Sequence, residues 1–284
     1  MSETSVPESD QEKDVHTKVT EDNLDLGHLA KMAATLNIEA LDSGDPLPML
    51  WHWAAFNDPL SYSDLGVDGY IDTSTIVPDT KGQALMWAGA RVDIVHPLLA
   101  GKPAQRKTTI GPVVTKQGRN GKLTFVTISS EYSQDFVVCL KEEQDFVLME
   151  SVPTMVPQTR QAPEAQWSEE ITPDPIMLFR YSAVTFNSHR IHYDLDYAQQ
   201  EGHSGLVVHG PLIATLMCKA FRKANHDKEV TSFSCRALKP LISPNPFVVE
   251  GSVIDAQEDG YGTVKLWAAQ NGNIAHEAEI KFKV

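Results

Sequence analysis

Hydrophobic and β-branched residues recur among polar ones along four short stretches of the chain bounded by turn residues, a pattern typical of β-strands. The stretches are residues 105–114, 123–132, 248–256 and 263–270. Turn sequences rich in Gly, Asn and Asp lie between or beside them, reading QGRNG at 117–121, EDGYG at 258–262 and NGN at 271–273. Because connections this short join antiparallel strands, the pattern predicts antiparallel hairpins.

This strand pattern occurs twice, because the two halves of the chain align at an offset of 143 residues. The aligned pairs, without a gap, are Pro97-Leu98-Leu99 with Pro240-Leu241-Ile242, Pro103 with Pro246, and Lys122-Leu123 with Lys265-Leu266. The chain is therefore predicted to be a duplicated domain. The alternative is a chance similarity within one mixed domain.

A helix is predicted over residues 211–222, PLIATLMCKAFR, where Pro211 fits the first turn and apolar side chains cover most of the surface. Its small residues would let a sheet wrap closely around it. One buried helix enfolded by an antiparallel sheet is the hotdog arrangement. We therefore expect an α+β fold, a double hotdog with two copies of a long buried helix, each wrapped by an antiparallel β-sheet.

Composition shifts divide the chain into four predicted parts. Residues 1–23 are acidic and are predicted to be a disordered tail. The N-terminal hotdog domain, without a catalytic motif, is expected at 24–150. A linker with three prolines follows at 151–170. The C-terminal hotdog domain, which carries the expected active site, occupies 171–284.

The charge of the chain argues against some partners. A formal charge of -14 and a pI near 5.1 would repel a phosphate backbone, so we expect no nucleic-acid binding. No apolar run is long enough to suggest a membrane span. The three cysteines are far apart and form no CxxC pair, which favours a reducing, cytoplasmic setting over a disulfide framework.

The densest candidate chemistry lies between Phe179 and Gly210. This segment contains His189, His192 and His203, and it ends with His209 and Gly210 just before the predicted helix. Histidines can transfer protons near neutral pH, and a helix start offers free backbone N–H groups to an anionic oxygen. We therefore predict that this segment forms the active site.

These residues resemble the MaoC-type, or hydratase 2, family of double-hotdog acyl-thioester hydratases and dehydratases. That family has a segment of the form SGDxNPxH, followed by an HG that opens the hotdog helix. The matching positions are assigned to Thr185 through Ser188, Ile191 through Asp194, and His209-Gly210. In this alignment Thr185 replaces the catalytic aspartate and His189-Arg190 is an insertion. Residues 87–104 and 118–128 resemble the dehydratase domain of type I fatty acid synthases.

The pattern TFNxHRIHYD resembles a subgroup that includes mesaconyl-C4-CoA and itaconyl-CoA hydratases and fungal mitochondrial type 2 hydroxyacyl-thioester dehydratases. The resemblance implies a hydro-lyase that adds water to an α,β-unsaturated acyl-CoA, with a five-carbon dicarboxylic acyl group favoured and no metal or organic cofactor. Two alternatives remain. One is a 3-hydroxyacyl-thioester dehydratase of fatty acid synthesis, and the other is a non-catalytic acyl-CoA-binding protein.

Within this reaction each candidate residue has an expected role and a structural alternative. His192 is the expected acid/base, with His189 beside it, or either histidine only stabilises the loop. Asn187 orients the water, or it caps a turn. Arg190 binds a second substrate carboxylate, or it pairs with a nearby aspartate.

The substrate-binding side of the expected site comprises three further residues. Gly210 supplies an N–H to the thioester oxygen, or it is glycine only for tight helix packing. His209 and Tyr193 are expected to contact the substrate, although His209 alternatively only holds the loop. A metal site built from the histidines together with Asp194 and Asp196 is a further alternative. The duplication is expected to give a pseudo-dimer within one chain, and a homodimer is possible.

Overall fold

The computed structural model describes residues 17–71, 80, 83–118, 121–149 and 164–284. In the first half, the bounds are β1 Thr17–Asp22, α1 Leu26–Leu36, β2 Ala84–Ile94, β3 Ala104–Ile110, β4 Val114–Gly118, β5 Gly121–Gln134 and β6 Val137–Met149. In the second half, they are β7 Trp167–Ile171, α2 Pro175–Thr185, α3 Leu195–Gln200, β8 Leu206–Val207, α4 Gly210–Ala224, β9 Glu229–Ala237, β10 Ile242–Ser243, β11 Phe247–Ala256, β12 Tyr261–Gln270 and β13 Asn273–Lys283. Short 3-10 helices lie at Trp51–Ala54, Tyr62–Asp64 and Arg190–His192.

The large sheet has the same arrangement of strands in both halves. Counted from each edge toward the centre, the first, second, third, fourth and fifth strands of one half correspond to those of the other. The order is β1-β3-β5-β6-β2-β9-β13-β12-β11-β7, with β4 paired to β5. The two halves meet where β2 pairs antiparallel with β9 at the centre. Arg91 lies opposite Ser234 there, and these residues are 143 positions apart in the chain. The sheet therefore confirms the predicted duplication, and its halves pair edge to edge.

A buried glutamine occupies the same place in both halves. The side chain of Gln134 accepts from Leu99 N at 2.8 Å and donates to Leu99 O at 3.0 Å. Gln270 does the same with Ile242, at 3.1 and 3.0 Å. Leu99 and Ile242 follow the offset of 143, but the two glutamines lie 136 residues apart. The predicted equivalence of Lys122-Leu123 with Lys265-Leu266 is therefore wrong, because the β4 hairpin lengthens the first half before β5.

Helix α4 forms the core of the second half. Its buried side chains include Leu212, Ile213, Leu216, Met217 and Phe221. They contact β7, β11, β12 and β13, and also β2 of the first half. Burying a side chain of this size stabilises a fold by about 1.5–3 kcal/mol. The predicted helix at 211–222 is thus confirmed, and the sheet wraps around it as expected for a hotdog.

Two shorter helices, one from each half, pack together and connect the halves. Helix α1 begins after β1 with Asp25 as its N-cap, and α2 begins after β7 with Asp174 as its N-cap. The carboxylates accept from His28 N and Met177 N respectively, which satisfies backbone donors at each helix start. The two helices pack against each other. The second long buried helix, predicted for the first half, would fall at positions 67–81 by the offset of 143, and most of these positions lie outside the described residues.

Three boundaries differ from the sequence prediction. The tail is not disordered throughout, because Thr17–Asp22 pair with β3 as β1; residues 1–16 lie outside the described residues. Of the predicted linker at 151–170, residues 151–163 lie outside the described residues. Its last residues, from 167 onward, belong to β7, which pairs with β11. The strand expected at 105–114 is divided between β3 and β4 by Gly111 and Pro112, since proline lacks the N–H that a strand pairing needs.

Within the described ranges, no helix is long and apolar enough to cross a membrane.

Candidate active site

The predicted segment folds into a compact unit against the start of α4. It runs from the end of α2 through the 3-10 turn Arg190–His192, α3 and β8. Strand β8 pairs with β10, which positions residues 206–207 beside the turn. Three of the predicted histidines lie together, because the ring of His192 contacts those of both His189 and His209. The structure therefore brings together the core of the predicted site.

His192 is held in a defined orientation by one backbone contact. It is buried, and its Nδ1 lies 2.7 Å from the carbonyl oxygen of Val207. A carbonyl can only accept, so Nδ1 carries the hydrogen, and the Nε2 of the neutral ring has a free lone pair. Nε2 has no hydrogen-bond partner among the described residues. It can therefore accept a proton from a substrate or a water molecule.

Burial determines the charge of His192. It lowers the pKa of this imidazole to about 3, although the Val207 carbonyl opposes the shift and nearby His189 and His203 add to it. His192 is consequently neutral at physiological pH. The neutral ring is the form that acts as a base.

His209 packs directly on His192. The two rings are stacked at 3.6 Å with an angle of 21° between them. His209 Nε2 lies 2.8 Å from the hydroxyl oxygen of Ser182, and Tyr181 meets the ring edge-on at 5.0 Å. Burial and the neighbouring histidines hold the pKa of His209 well below its usual value. His209 thus supports the His192 ring as a neutral neighbour, while a contact with substrate remains a prediction.

His189 lies on the other side of His192 and faces the first half of the chain. Its ring meets that of His192 edge-on at 5.6 Å. Its Nε2 lies 3.9 Å from Asp68 Oδ2, and its ring is 5.6 Å from that of Tyr70. The pKa of His189 lies below its usual value because of burial; the negative charge of Asp68 opposes this shift, and nearby His203 adds to it. His189 is thus the site histidine that an acidic group from the first half approaches.

Asn187 caps the turn that presents these histidines. Its Oδ1 accepts from His189 N at 3.0 Å, and its own N–H donates to Ser182 O at 2.9 Å. This Asx turn is the structural alternative foreseen for Asn187. The amide nitrogen is not used in that turn, so it can still donate to a water molecule.

The backbone favours a different alignment of the motif. Phe186 has a left-handed φ of 53°, which suits the glycine of SGDxNPxH. The eight residues from Thr185 to His192 then match the motif without an insertion. This places Asn187, an amide, at the position of the aspartate. Thr185 instead closes α2, with its hydroxyl donating to Tyr181 O at 2.6 Å.

Gly210 begins α4 and contacts the first half. A Cβ at this position would lie 2.6 Å from Cε3 of Trp87, so the indole occupies the space of a side chain. Trp87 is itself fixed, because its Nε1 donates to Gln144 at 3.1 Å and its ring stacks on His276. The N–H of Gly210 finds no acceptor in the part of the chain that the structure describes. Tight packing and a free N–H are therefore both features of this glycine.

Arg190 and Tyr193 are engaged in contacts within the protein. Arg190 donates through Nε and Nη2 to Asp194, at 3.0 and 2.7 Å, and through Nη1 to Val67 O at 3.1 Å. The foreseen salt bridge is thus present, and the geometry gives no support to a carboxylate-binding role. Tyr193 is half-exposed, and its hydroxyl donates to Ser188 O at 3.0 Å. Its contact with substrate remains a prediction.

The metal alternative gains no support from the described residues. They contain no group of three or more His, Cys, Asp or Glu side chains that could hold a metal ion. Of the residues considered, Asp194 is paired with Arg190, and Nδ1 of His192 is bonded to Val207.

Sequence reasoning missed the residues that support the histidines. Val207, Ser182, Asp68 and Trp87 all contact site residues, but the first is a backbone carbonyl and the last two lie more than 90 positions away in the chain. A local motif contains no signal for such partners. The sequence VDGYI around Asp68 contains the dipeptide DG, which predicts a turn. It does not predict that this turn contacts the histidine segment.

Comparison with known proteins assigns the family. The family model of hydroxyacyl-thioester dehydratase type 2 matches residues 50–243. Mesaconyl-C(4)-CoA hydratase of Chloroflexus aurantiacus is 39% identical over 254 residues, covering 86% of this chain and 90% of the relative. The mitochondrial hydroxyacyl-thioester dehydratase type 2 of Schizosaccharomyces pombe is 33% identical over 121 residues, which is 40% of each chain.

The fold is also found among solved structures. A MaoC-like dehydratase from Phytophthora capsici superposes with a TM-score of 0.68 at 13% identity, covering 96% of both chains. This likeness confirms the expected double-hotdog architecture. The matched family is named for a dehydratase, which removes water, and the Chloroflexus aurantiacus relative is named for a hydratase, which adds it. The expected hydro-lyase class is therefore confirmed as well. The chain belongs to the hydroxyacyl-thioester dehydratase type 2 family.

Proposed function

We propose that this protein hydrates a five-carbon dicarboxylic enoyl-CoA, mesaconyl-C4-CoA or itaconyl-CoA, to citramalyl-CoA. The observation that carries the proposal is the 39% identity, over 86% of the chain, to a relative named for mesaconyl-C(4)-CoA. The site contains the neutral imidazole of His192, which stacks on His209, and the next residue, Gly210, begins a helix with an N–H that has no acceptor among the described residues. Those are the two groups that hydration of a conjugated thioester requires.

The proposed reaction begins with a water molecule between His192 and the substrate. Nε2 of His192 takes a proton from the water, and the water oxygen forms a bond to the β-carbon. The electron pair of the double bond moves toward the thioester carbonyl, which becomes an enolate. An acid of the site then gives a proton to the α-carbon, which restores the thioester, and His192 releases the proton that it took. The net change is the addition of one water molecule.

Two backbone features would stabilise the enolate oxygen. The N–H of Gly210, which has no acceptor among the described residues, can donate, and the first turn of α4 places the positive end of the helix dipole nearby. Losing one such donor typically costs about 2.7–4 kcal/mol of transition-state stabilisation. Asn187 would hold the water through its amide nitrogen. The proposed steps use only protein groups, so no metal or organic cofactor is required.

A second candidate is the dehydration of a 3-hydroxyacyl thioester in fatty acid synthesis. It is favoured by the similarity to the Schizosaccharomyces pombe dehydratase over 121 residues. The same groups would run the steps in reverse, so the site geometry suits both. The acyl group distinguishes them.

We further propose that the protein works in the cytoplasm as an internal pseudo-dimer. Its three cysteines are all free and buried, which suits a reducing compartment. The edge-to-edge pairing of β2 with β9 would supply within one chain the sheet pairing of two hotdogs. Homodimerisation remains a prediction.

The test is a panel of enoyl-CoA thioesters followed by the absorbance of the conjugated double bond. We expect kcat/KM to be highest for mesaconyl-C4-CoA or itaconyl-CoA, and lower for crotonyl-CoA and long-chain enoyl-CoA. A preference for long-chain substrates would favour the dehydratase of fatty acid synthesis. Binding without turnover of any member would contradict an enzymatic role.

A further inference from the structure

A loop of the first half is fitted closely onto the site. Arg190 N donates to Asp68 O at 2.8 Å, and the hydroxyl of Ser188 donates to Gly69 O at 2.6 Å. Gly69 has a φ of 75°, and a Cβ there would lie only 2.3 Å from Ser188 O. A side chain at Gly69 would therefore push the loop away. We call residues 66–71 the docking loop.

The docking loop brings one carboxylate to the histidines. Oδ1 of Asp68 accepts from Tyr70 N at 3.0 Å, which fixes the carboxylate within the loop. Its other oxygen lies 3.9 Å from His189 Nε2. This separation is within ion-pair range but longer than a hydrogen bond. Asp68 is about three-quarters buried at its side chain, so solvent screens the interaction only in part.

The other charged and titratable groups around His189 do not replace Asp68. Those facing it are Tyr70 from the docking loop, and His192 and His203 from its own half. None of these side chains carries a negative charge at neutral pH. In the motif alignment the aspartate position holds Asn187, whose amide cannot transfer a proton.

Hydration needs an acid as well as a base. His192 is suited to take the proton from water, but the α-carbon must then receive one. Among histidines that all face other imidazoles, the one that also faces a carboxylate is the most readily protonated. Within the described ranges, His189 has this carboxylate neighbour, whereas His192 and His209 have none.

We propose that Asp68 is a positioning residue that keeps His189 available as the proton donor of the reaction. His192 accepts a proton from water as the C–O bond forms, and protonated His189 gives a proton to the α-carbon as the enolate collapses. A proton then passes from His192 to His189 through solvent, which restores both groups. In dehydration each step runs backward. This inference rests on the proposed function and assigns the missing acidic partner to the half of the chain without the motif.

The test compares Asp68→Asn with wild type and with Asp64→Asn. Asp64 is an exposed acid in the same region, and its recorded side-chain contact is with Ser63 rather than with a site residue. The amide of Asp68→Asn can still accept from Tyr70 N, and the backbone contacts of the loop are unchanged. We expect KM to stay within about twofold. Removing a charge about 4 Å from an imidazole should lower its pKa by about one unit, so kcat at pH 8 should fall about tenfold.

The pH profile separates this role from a structural one. Because the protonated imidazole is the active form, activity should fall as the pH rises through the pKa of His189. In Asp68→Asn this limb should move to lower pH, so the variant approaches wild type as the pH falls. Asp68→Glu, which keeps the charge, should restore the limb at least in part. NMR titration of His189 should show the same shift without reference to activity.

Three outcomes would decide the matter. A normal kcat and a normal His189 titration in Asp68→Asn, with an active wild type, would overturn the inference. So would a reduced kcat with an unmoved pH limb, because that result indicates only a structural effect. A wild type that hydrates no enoyl-CoA would instead contradict the proposed function itself.

Discussion

At the scale of single residues, the site depends on short-range contacts that fix side-chain roles. The Oδ1 atom of Asn187 holds the backbone N–H of His189, and the carbonyl of Val207 selects the tautomer of His192. The first contact positions one histidine, and the second leaves a lone pair on the other. Both act through backbone groups, so they are independent of the substrate.

Asn187 provides a test of this scaffold. Asn187→Asp keeps an oxygen that can accept from His189 N, whereas Asn187→Ala removes it. We expect Asn187→Ala to lower the free energy of unfolding by about 1 kcal/mol more than Asn187→Asp does. Urea denaturation of both variants measures the difference. Equal losses in the two variants would contradict the importance of the Asx turn.

The sequence identified the histidines but not their surroundings. The motif predicted His189, His192, His209 and Gly210 because their residue types and spacing are local. The first alignment, however, introduced an insertion at His189-Arg190, since sequence alone did not reveal that Phe186 adopts a left-handed φ. Its role as the motif's glycine became clear only from the backbone.

At the scale of elements, the start of α4 and strand β2 depend on each other. Trp87 of β2 fills the space beside Gly210, and the indole is held by Gln144, His276 and an edge-on contact with Trp53. These contacts leave the indole of Trp87 little room to move aside for a side chain at Gly210.

Gly210→Ala should destabilise the protein, because Trp87 already fills the space that the added methyl group would occupy. We expect a loss of about 1–3 kcal/mol in the free energy of unfolding, because the added methyl overpacks the contact. In a Trp87→Leu background the same change should cost less, since the smaller side chain leaves space for the methyl. A double-mutant cycle from denaturant unfolding measures this coupling. Additive effects would mean that the two residues do not constrain each other.

Element prediction from sequence succeeded where the pattern was local. Helix α4 and strands β11 and β12 begin and end within a few residues of their predicted bounds. Strand β1 was missed because its sequence, TKVTED, is polar and exposed, and it forms only by pairing with β3. The β4 hairpin shifted the repeat alignment because ungapped comparison cannot detect an insertion.

At the scale of the whole molecule, several buried histidines link stability to pH. Burial lowers the pKa of both His192 and His276 to about 3 and holds that of His209 well below its usual value. In the unfolded chain these groups titrate near pH ~6.5, so below that pH the unfolded state binds more protons. Their contribution to stability is fully present above pH ~6.5 and is lost as the pH falls toward 3.

We therefore expect the melting temperature to decrease as the pH is lowered from about 7.5 to about 5.5. His276→Leu removes one of the three groups and should make this decrease less steep. The matched control is His226→Leu, because His226 is exposed and should leave the slope unchanged. Thermal unfolding followed by circular dichroism at several pH values measures the slopes. A steeper or identical slope in His276→Leu would contradict the assignment.

The most direct test of the account is the hydration of mesaconyl-C4-CoA by wild type, His192→Ala, His192→Asn and the exposed control His226→Ala. The amide of His192→Asn can still donate to Val207, which preserves the fold without supplying a base. We predict that wild type and His226→Ala consume the conjugated double bond, and that both His192 variants lose about 10²–10⁴ in kcat while remaining folded. Near-normal turnover by a folded His192 variant would contradict the central claim that this histidine transfers the proton.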